Sequence, residues 1–303
     1  MSSIILLFLC LILGVLVRRV PAFPASSPVV LNQFIIYISL PALALYAIPE
    51  VELDRSVLLP VGVAWICFAC AVALFYTLGK VYGWSKKLVG CLILTAGLGN
   101  TSFIGFPVIE ALYGKEGLQT AILVDLPGTF VVVSTLGIAL AAYFSKGQAD
   151  VKAISRKILT FPPFLTFVLA FAMNVADLHF NDEMKEVFNR LGSTVTPLAL
   201  VSVGMQLRIE RRSKHWRFLF LGLLFQLVLA PLIIFVLYVL VLGQSGHVVQ
   251  VSILEAGMAP MITASIVAIS YGLKPRLASM MVGFGIPLSF ITLTIWYLLV
   301  RGL

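Results

Sequence analysis

Residues 97–107 read Gly-Leu-Gly-Asn-Thr-Ser-Phe-Ile-Gly-Phe-Pro, and this stretch decides how the chain can fold. Three glycines, three polar residues and a proline fall within eleven positions of an otherwise apolar run. Proline removes one backbone donor and clashes with the carbonyl four residues before it, so Pro107 disfavours an unbroken helix. The stretch therefore predicts a helix that is broken in its middle and leaves backbone groups in need of partners.

The composition of the whole chain indicates a membrane protein. Hydrophobic residues make up 60% of the 303 residues and charged residues only 11%, and the mean hydropathy is +1.06. A soluble domain carries about 25% charged residues, so too few are present here to cover a water-exposed surface. We predict an all-α integral membrane protein with short loops and no separate soluble domain.

Ten apolar stretches of about the length of a transmembrane helix follow one another along the chain. They cover residues 2–17, 29–48, 57–78, 88–112, 118–144, 158–176, 191–207, 218–242, 248–271 and 277–300. We number the predicted helices 1 to 10 in this order. Of the 21 Lys and Arg residues, sixteen lie in loops on one side, five lie on the other side, and none lies inside a stretch.

Basic residues concentrate in cytoplasmic loops, so the side with sixteen is predicted to face the cytoplasm. Both termini then lie on the extracellular or periplasmic side of a multi-pass plasma (inner) membrane protein. The net charge of +8 reflects these loops, and we expect the lipid bilayer and no nucleic acid as a partner.

The second half of the chain repeats landmarks of the first half. Pro41 in predicted helix 2 recurs as Pro197 in helix 7, 156 residues later. The Ala-Gly pair at 96–97 in helix 4 recurs at 256–257 in helix 9, 160 residues later. Both offsets are close to half the chain length, which indicates an internal repeat.

The repeat divides the chain into two groups of five predicted helices. Residues 1–145 form the first repeat, 146–157 a short cytoplasmic linker, and 158–303 the second repeat. Because five is odd, the second repeat enters the membrane from the opposite side. Inverted repeats of this kind are typical of secondary transporters.

Predicted helices 4 and 9 are the two that carry clustered helix-breaking and polar residues. Corresponding interrupted helices in the two halves are the best sequence indication of a transporter binding site, although two ordinary proline kinks would give the same pattern. We predict the following substrate-binding residues: Asn100, Thr101, Ser102, Pro107, Pro260 and Thr263.

Three carboxylates lie within the predicted helices, namely Glu110, Asp125 and Glu255. A charged side chain at the centre of a bilayer costs about 2.5–3.5 kcal/mol on the insertion scale. Asp125 and Glu255 are therefore candidates for coupling transport to H⁺ or Na⁺, and the alternative is a neutral acid bonded within the helix bundle. No metal site and no other cofactor are expected.

Residues 99–114, with their Asn-Thr pair, Gly-Phe-Pro and closing Tyr-Gly, resemble the signature of the auxin efflux carrier family. The segment at 196–205 also resembles that family, which includes plant auxin carriers and bacterial permeases for small carboxylic acids. The loop at about 145–157 is short, as in the bacterial branch.

The resemblance implies that helices 4 and 9 are broken and cross at the membrane centre. It also implies a scaffold of helices 1, 2, 6 and 7, and a transport domain of helices 3–5 and 8–10 that moves in the manner of an elevator. By the same resemblance, Asn100 contacts the substrate carboxylate. Related scaffolds dimerise through helices 2 and 7, and for this chain both a monomer and a homodimer remain open.

The function predicted from these features is secondary active transport of a small organic anion, auxin-like or a dicarboxylate. A sodium-coupled symporter of the bile-acid-transporter type has the same architecture and is the main alternative. An ion channel is disfavoured by the inverted repeat. A membrane-embedded enzyme is disfavoured because no histidine lies in a predicted helix and no Ser–His or paired-acid motif is present.

The predicted topology can be tested by labelling single cysteines in a cysteine-free background. We expect residues 18–28, 80–87, 146–157, 208–217 and 274–276 to be inaccessible to an impermeant thiol reagent in intact cells, because these loops face the cytoplasm. A cysteine at Arg55 should be labelled from outside and serves as the control. Labelling of a cysteine at Lys152 from outside would reverse the orientation.

Overall fold

The computed structural model describes residues 2–51, 57–145, 160–207 and 215–303. The predicted linker 146–157 and most of the basic loop 208–217 therefore lie outside the described residues. Within the described ranges the regular structure is helical, apart from one isolated β-bridge.

Thirteen helical segments follow one another in the described ranges. They are α1 Ser2–Val17, α2 Ser27–Glu50, α3 Leu58–Val81, α4 Lys86–Ala96, α5 residues 101–113, α6 residues 115–145, α7 Pro162–Val175, α8 Asp182–Gly192, α9 Val195–Gln206, α10 Trp216–Val241, α11 His247–Ala256, α12 Ile262–Ser270 and α13 Pro275–Val300. Predicted helix 4 corresponds to α4 and α5, and predicted helix 9 to α11 and α12. Gly114, with φ of 65°, separates α5 from α6.

One helix was not predicted from the apolar pattern. Helix α8 is amphipathic and carries Asp182 and Glu183 in its first turn and Arg190 in its last turn. The side chain of Asn181 accepts a hydrogen bond from the backbone N–H of Met184 and caps its N-terminus. Such a helix contains no long apolar run, because its polar face dominates the sequence.

Five helical stretches among the described residues are long and apolar enough to cross a membrane. They are Ser27–Glu50, Leu58–Val81, Thr101–Ser145, Trp216–Val241 and Pro275–Val300. Shorter apolar helices, such as α1 and α7, accompany them. Helix α1 exposes large apolar side chains such as Ile5 and Ile12, which suits a hydrocarbon solvent and not water.

Wide turns with i→i+5 hydrogen bonds precede three of the prolines inside helices. They cover Ile35–Ser39 before Pro41, Thr101–Gly105 before Pro107, and Phe225–Leu229 before Pro231. The loosened turn accommodates the proline ring and the missing N–H without ending the helix. Pro107 therefore does not break its helix as its sequence context predicted. The interruption lies at residues 97–100, before the wide turn.

The chain folds into two compact units, each assembled from separate stretches of sequence. The first unit contains the described residues of Met1–Arg55, Ser102–Ile122 and Ile158–Leu207. Within it α1 packs closely on α9, where Gly14 and Gly204 let the two backbones approach. A Cβ atom on Gly14 would lie 2.2 Å from the carbonyl oxygen of Val201.

The end of α2 in the first unit is held by α7. The amide nitrogen of Asn174 donates to the carbonyl oxygens of Ile48, Pro49 and Val51 at 2.8–3.0 Å. One side chain therefore satisfies backbone acceptors that the helix end leaves without intrahelical partners.

The second unit contains the described residues of Ser56–Thr101, Leu123–Lys157 and Arg208–Leu303. Polar side chains of one helix donate hydrogen bonds to backbone carbonyl oxygens of another and so connect its helices. The hydroxyl of Tyr238 donates to the carbonyl oxygen of Leu59 at 2.6 Å, and the indole N–H of Trp296 donates to that of Leu227 at 3.1 Å. Both contacts bury polar groups that lipid could not hydrogen-bond.

The close approach of α1 and α9 predicts that Gly14→Ala and Gly204→Ala each lower thermal stability. The added methyl group meets backbone atoms at 2.2–2.3 Å, and overpacking of this kind costs about 1–3 kcal/mol. Gly302→Ala is the control, because a Cβ there meets no atom within 4 Å. Equal melting temperatures for all three variants would show that the two helices do not pack as described.

Candidate functional site

Two helices of the second unit are interrupted where glycine ends a helical segment. Helix α4 ends at Ala96, and a Cβ on the following Gly97 would lie 2.5 Å from the carbonyl oxygen of Ile93. Helix α11 ends at Ala256 and is followed by Gly257. The next helical segments begin at Thr101 and Ile262. Both interruptions are short non-helical connections between two helical segments.

The two interruptions pair with each other. The backbone N–H of Asn100 donates to the carbonyl oxygen of Ala259 at 2.7 Å, and the N–H of Met261 donates to that of Leu98 at 2.9 Å. Gly99 and Pro260 face each other across this antiparallel bridge. Backbone groups released by each interruption thus find partners in the other, as a membrane interior requires.

Gln226 of α10 supports the second interruption from the side. Its amide nitrogen donates to the carbonyl oxygens of Ala256 at 3.1 Å and Met258 at 3.0 Å, and its side chain is buried. This residue was not predicted from the sequence. A single amide inside the apolar stretch 218–242 was the signal that could have identified it, because polar groups inside a membrane require partners.

Two carboxylates lie beside the paired interruptions. Asp125, in a wide turn of α6, accepts a hydrogen bond of 2.5 Å from the hydroxyl of Thr101. Glu255, in the last turn of α11, is 1% exposed, and neither of its carboxylate oxygens bonds to a described residue. Asp125 and Glu255 lie close enough for their charges to interact.

A cavity of about 10 Å³ opens beside Glu255, within the second unit. That volume is about the space that one water molecule needs. Its lining consists of Val63, Ala64, Cys67, Gly97, Leu98, Gly99, Thr101, Val124, Thr129, Gln226, Glu255 and Ala256. The surface of this cavity is almost entirely apolar, although polar residues such as Thr129, Gln226 and Glu255 border it.

Most predicted site residues are buried. Asn100 and Pro260 belong to the paired interruptions of the second unit, and Thr101, Asp125 and Glu255 lie on its adjoining helical segments. Ser102 and Pro107 are buried on α5 and belong to the first unit. Thr263 is exposed on the first turn of α12.

A larger cavity, of about 250 Å³, lies in the first unit. Two lysines and three glutamates stand among its lining residues: Leu43, Tyr46, Ala47, Glu50, Phe106, Glu110, Lys115, Glu116, Leu118, Gln119, Lys185, Asn189, Gly192, Ser193, Val195 and Thr196. The predicted residues at 100–102 are absent from this lining.

Several polar contacts organise that larger cavity. The ammonium of Lys185 lies 2.7 Å from a carboxylate oxygen of Glu50, and Lys115 donates to the hydroxyl of Tyr46 at 2.7 Å. Glu110 accepts a hydrogen bond of 2.6 Å from Thr196. The hydrogen bond to Glu50 raises the pKa of Lys185 because it stabilises the charged ammonium.

The described residues contain no group of three or more His, Cys, Asp and Glu side chains that could hold a metal ion. The ionisable groups at the paired interruptions are the two carboxylates, Asp125 and Glu255. Apart from Glu255 and Cys67, the residues that border the small cavity carry no ionisable side chain.

A family described as membrane transport protein matches residues 1–297. The chain belongs to this family, that of the auxin efflux carriers. It is 25% identical over 304 residues to an uncharacterized transporter of Methanocaldococcus jannaschii, covering 98% of this chain and 97% of that protein. It is also 26% identical over 301 residues to an uncharacterized transporter of Methanothermobacter thermautotrophicus, covering 97% and 96%.

Family membership confirms the resemblance found in residues 99–114 and 196–205. Together with the apolar helices it identifies the chain as a multi-pass membrane transport protein. The paired interruptions are therefore a feature of a membrane transport protein.

The position of Gln226 predicts that Gln226→Leu destabilises this transport protein. The substitution leaves two buried carbonyl oxygens without their donor, and each unsatisfied buried group costs about 1–3 kcal/mol. Gln244→Leu is the matched control, because the exposed side-chain amide of Gln244 donates to the carbonyl oxygen of nearby Leu242 at 3.2 Å and connects no two helices. A melting temperature for Gln226→Leu equal to that of the control would mean that the amide does not support the interruption.

Proposed function

We propose that the protein is a secondary active transporter that moves a small organic anion across the membrane by elevator-type alternating access. The observation that carries this proposal is the pairing of the two interrupted helices at Gly99 and Pro260. Discontinuous helices with backbone exposed at mid-membrane depth are the usual substrate and ion sites of secondary transporters.

The proposed architecture has ten transmembrane helices in two inverted repeats, residues 1–145 and 158–303. Equivalent interruptions in α4–α5 and α11–α12 support the repeat. The antiparallel direction of the pairing is also what an inverted repeat gives.

The proposed scaffold consists of predicted helices 1, 2, 6 and 7, and the transport domain of helices 3–5 and 8–10. The two compact units support this division, since the first holds α1, α2, α7 and α9. One segment departs from it, because residues 102–122 group with the first unit. In an elevator mechanism the transport domain would carry the substrate site past the scaffold.

The direction of the helix dipoles at the two interruptions supports an anionic substrate. Helical segments that begin at Thr101 and Ile262 present their N-terminal ends, which carry partial positive charge, next to the interruptions. No Lys or Arg lies within a predicted transmembrane helix, so amide and hydroxyl donors remain for a carboxylate. We propose that the substrate contacts are these: Asn100, Thr101, Ser102, Pro107, Pro260 and Thr263.

Coupling to H⁺ or Na⁺ through Asp125 or Glu255 is part of this proposal. A sodium-coupled symporter of the same architecture is the second candidate function, and the buried carboxylate of Glu255, which has no hydrogen-bond partner among the described residues, favours it. Uptake of labelled carboxylates into proteoliposomes, with imposed sodium or pH gradients, distinguishes the two couplings. Saturation and counterflow would separate either carrier from a channel.

We also propose a location, an orientation and an oligomeric state for this transporter. We place it in the plasma (inner) membrane with both termini outside, as the basic loops indicate. A homodimer would form through α2 and α9, which are predicted helices 2 and 7. The protein is proposed to act as a transporter without enzymatic activity.

The proposed role of Asn100 predicts weaker substrate binding by Asn100→Ala. Loss of a hydrogen bond to a charged carboxylate costs about 1.5–3 kcal/mol, which is a roughly ten- to hundred-fold lower affinity. A ligand screen of the purified protein, over mono- and dicarboxylates and indole acids, supplies the ligand for the measurement.

Expression and monodispersity of this variant should match those of the wild type. Asn189→Ala, on α8 of the first unit, is the control and should keep wild-type affinity. An unchanged affinity for Asn100→Ala would remove this residue from the substrate site.

A further inference from the structure

We propose that the larger cavity, in the first unit, binds a small zwitterion, namely an α-amino acid with an apolar side chain. Lys115 would bind the carboxylate of this ligand, and Glu110 would bind its ammonium group. The predicted substrate contacts at 100–102 do not line this cavity. The inference therefore goes beyond the proposed function and does not depend on it.

Unpaired charges of both signs in one cavity are the first observation. Of the five charged lining residues, Glu50 and Lys185 pair with each other at 2.7 Å. The other three, Lys115, Glu110 and Glu116, take part in no ion pair with a described residue. The cavity therefore offers one ammonium and two carboxylate groups to a ligand.

This set of charges favours a zwitterion over an ion of a single sign. A plain carboxylate would be attracted by Lys115 but repelled by Glu110 and Glu116, and a plain amine would be repelled by Lys115. Like charges brought together in a binding site lower the affinity. A zwitterion instead places each of its charged ends near a group of opposite sign.

The ammonium of Lys115 is positioned by Tyr46. It donates to the Tyr46 hydroxyl at 2.7 Å and lies 5.1 Å from the centroid of the ring, an arrangement that attracts a cation. An ammonium has three donors, and a hydroxyl that accepts a hydrogen bond keeps its own hydrogen. Lys115 and Tyr46 thus present neighbouring donors to a ligand carboxylate, which would form charge-assisted hydrogen bonds.

The carboxylate of Glu110 is positioned by Thr196. It is half-buried and accepts a hydrogen bond of 2.6 Å from the hydroxyl of Thr196. A carboxylate has about four lone-pair sites, so acceptor capacity remains after this bond. Glu110 can therefore accept hydrogen bonds from the ammonium group of a ligand.

The size and the apolar part of the cavity suit the rest of such a ligand. Leu43, Phe106 and Val195 are buried residues of the lining and would contact an apolar side chain. The volume of about 250 Å³ equals that of roughly eight water molecules at about 30 Å³ each. It is below the range of about 300–1,000 Å³ that is typical of pockets for drug-sized ligands, so the ligand is small.

The predicted topology determines from which side the ligand arrives. Glu50, Lys115 and Lys185 lie in or next to loops of the side with few basic residues, which is the extracellular or periplasmic side. An amino acid outside the cell would therefore reach this cavity.

Binding can be measured by calorimetry on the purified full-length protein in lipid nanodiscs, with alanine, valine and leucine. Each amino acid that binds is compared with its analogue without the ammonium group and its analogue without the carboxylate. For leucine these are isocaproate and isoamylamine. We expect saturable binding of at least one amino acid, and at least ten-fold weaker binding of both its analogues, because each analogue loses one charge-assisted contact.

Two variants place the ligand in this cavity. Lys115→Met removes the charge at similar length and should weaken amino-acid binding at least ten-fold. Glu110→Gln keeps an oxygen that can accept from Thr196 and should also weaken amino-acid binding at least ten-fold. Glu110→Gln should not weaken binding of the analogue without an ammonium group, because that analogue has no group for Glu110 to bind. A merely structural role of Glu110 would weaken both ligands alike.

Matched controls exist for both variants. Lys80, in the second unit, lies 4.7 Å from the centroid of the Tyr76 ring, much as Lys115 lies over Tyr46. Glu183 is an exposed carboxylate in the first turn of α8 and does not line the cavity. Lys80→Met and Glu183→Gln should both keep wild-type affinity for the amino acid.

The proposal is overturned if none of the three amino acids binds saturably to the wild type, or if either analogue binds as tightly as its amino acid. Wild-type affinity in Lys115→Met or in Glu110→Gln overturns it as well. If Glu110→Gln does not fold, Lys115→Met decides, because the side chain of Lys115 is exposed. Carboxylate transport without amino-acid binding would refute this site alone, and amino-acid binding without carboxylate transport would refute only the proposed function.

Discussion

The structure depends on one constraint, which is that a backbone group inside a membrane must find its partner within the protein. Glycine and proline interrupt two helices, and each interruption leaves N–H and C=O groups outside a regular helix. The hydrogen bonds from Asn100 to Ala259 and from Met261 to Leu98 satisfy these groups by joining one interruption to the other. Gln226 satisfies two further carbonyl oxygens.

Pairing the interruptions also concentrates helix ends in a small region. Two helical segments end there and two begin there, so negative and positive partial charges lie close together. An anion is stabilised beside the N-terminal ends and a cation beside the C-terminal ends. A single backbone arrangement therefore presents partial charges of both signs, which is what the proposed carboxylate substrate and the proposed coupling ion would each require.

Glu255 differs from Glu50 and Glu110 in having no partner among the described residues. In the first unit Glu110 bonds to Thr196, and Glu50 pairs with Lys185, so these carboxylates have partners in the protein. In the second unit the carboxylate of Glu255 has no hydrogen-bond partner among the described residues. Structural acids are usually satisfied by such partners, whereas perturbed and uncompensated acids mark functional sites.

The sequence by itself determined the class of the protein, the positions of its apolar helices and the presence of the interruptions. These properties follow from hydropathy, from the spacing of basic residues and from glycine and proline, all of which act locally. The sequence also identified Asn100, Asp125 and Glu255 as polar residues inside apolar stretches. Amphipathic α8 was missed because it contains no long apolar run, and the support from Gln226 was missed although its amide lies inside an apolar stretch.

Only the tertiary structure decided which polar groups become partners of one another. Pro107 carries the strongest breaking signal, yet a preceding wide turn keeps its helix intact, and the interruption lies at residues 97–100. That Gly99 faces Pro260, and that Glu255 borders a cavity with Thr101 and Thr129, depends on packing between residues far apart in the chain. Local sequence determines the backbone groups that need partners, but the packing of distant helices determines which partners they find.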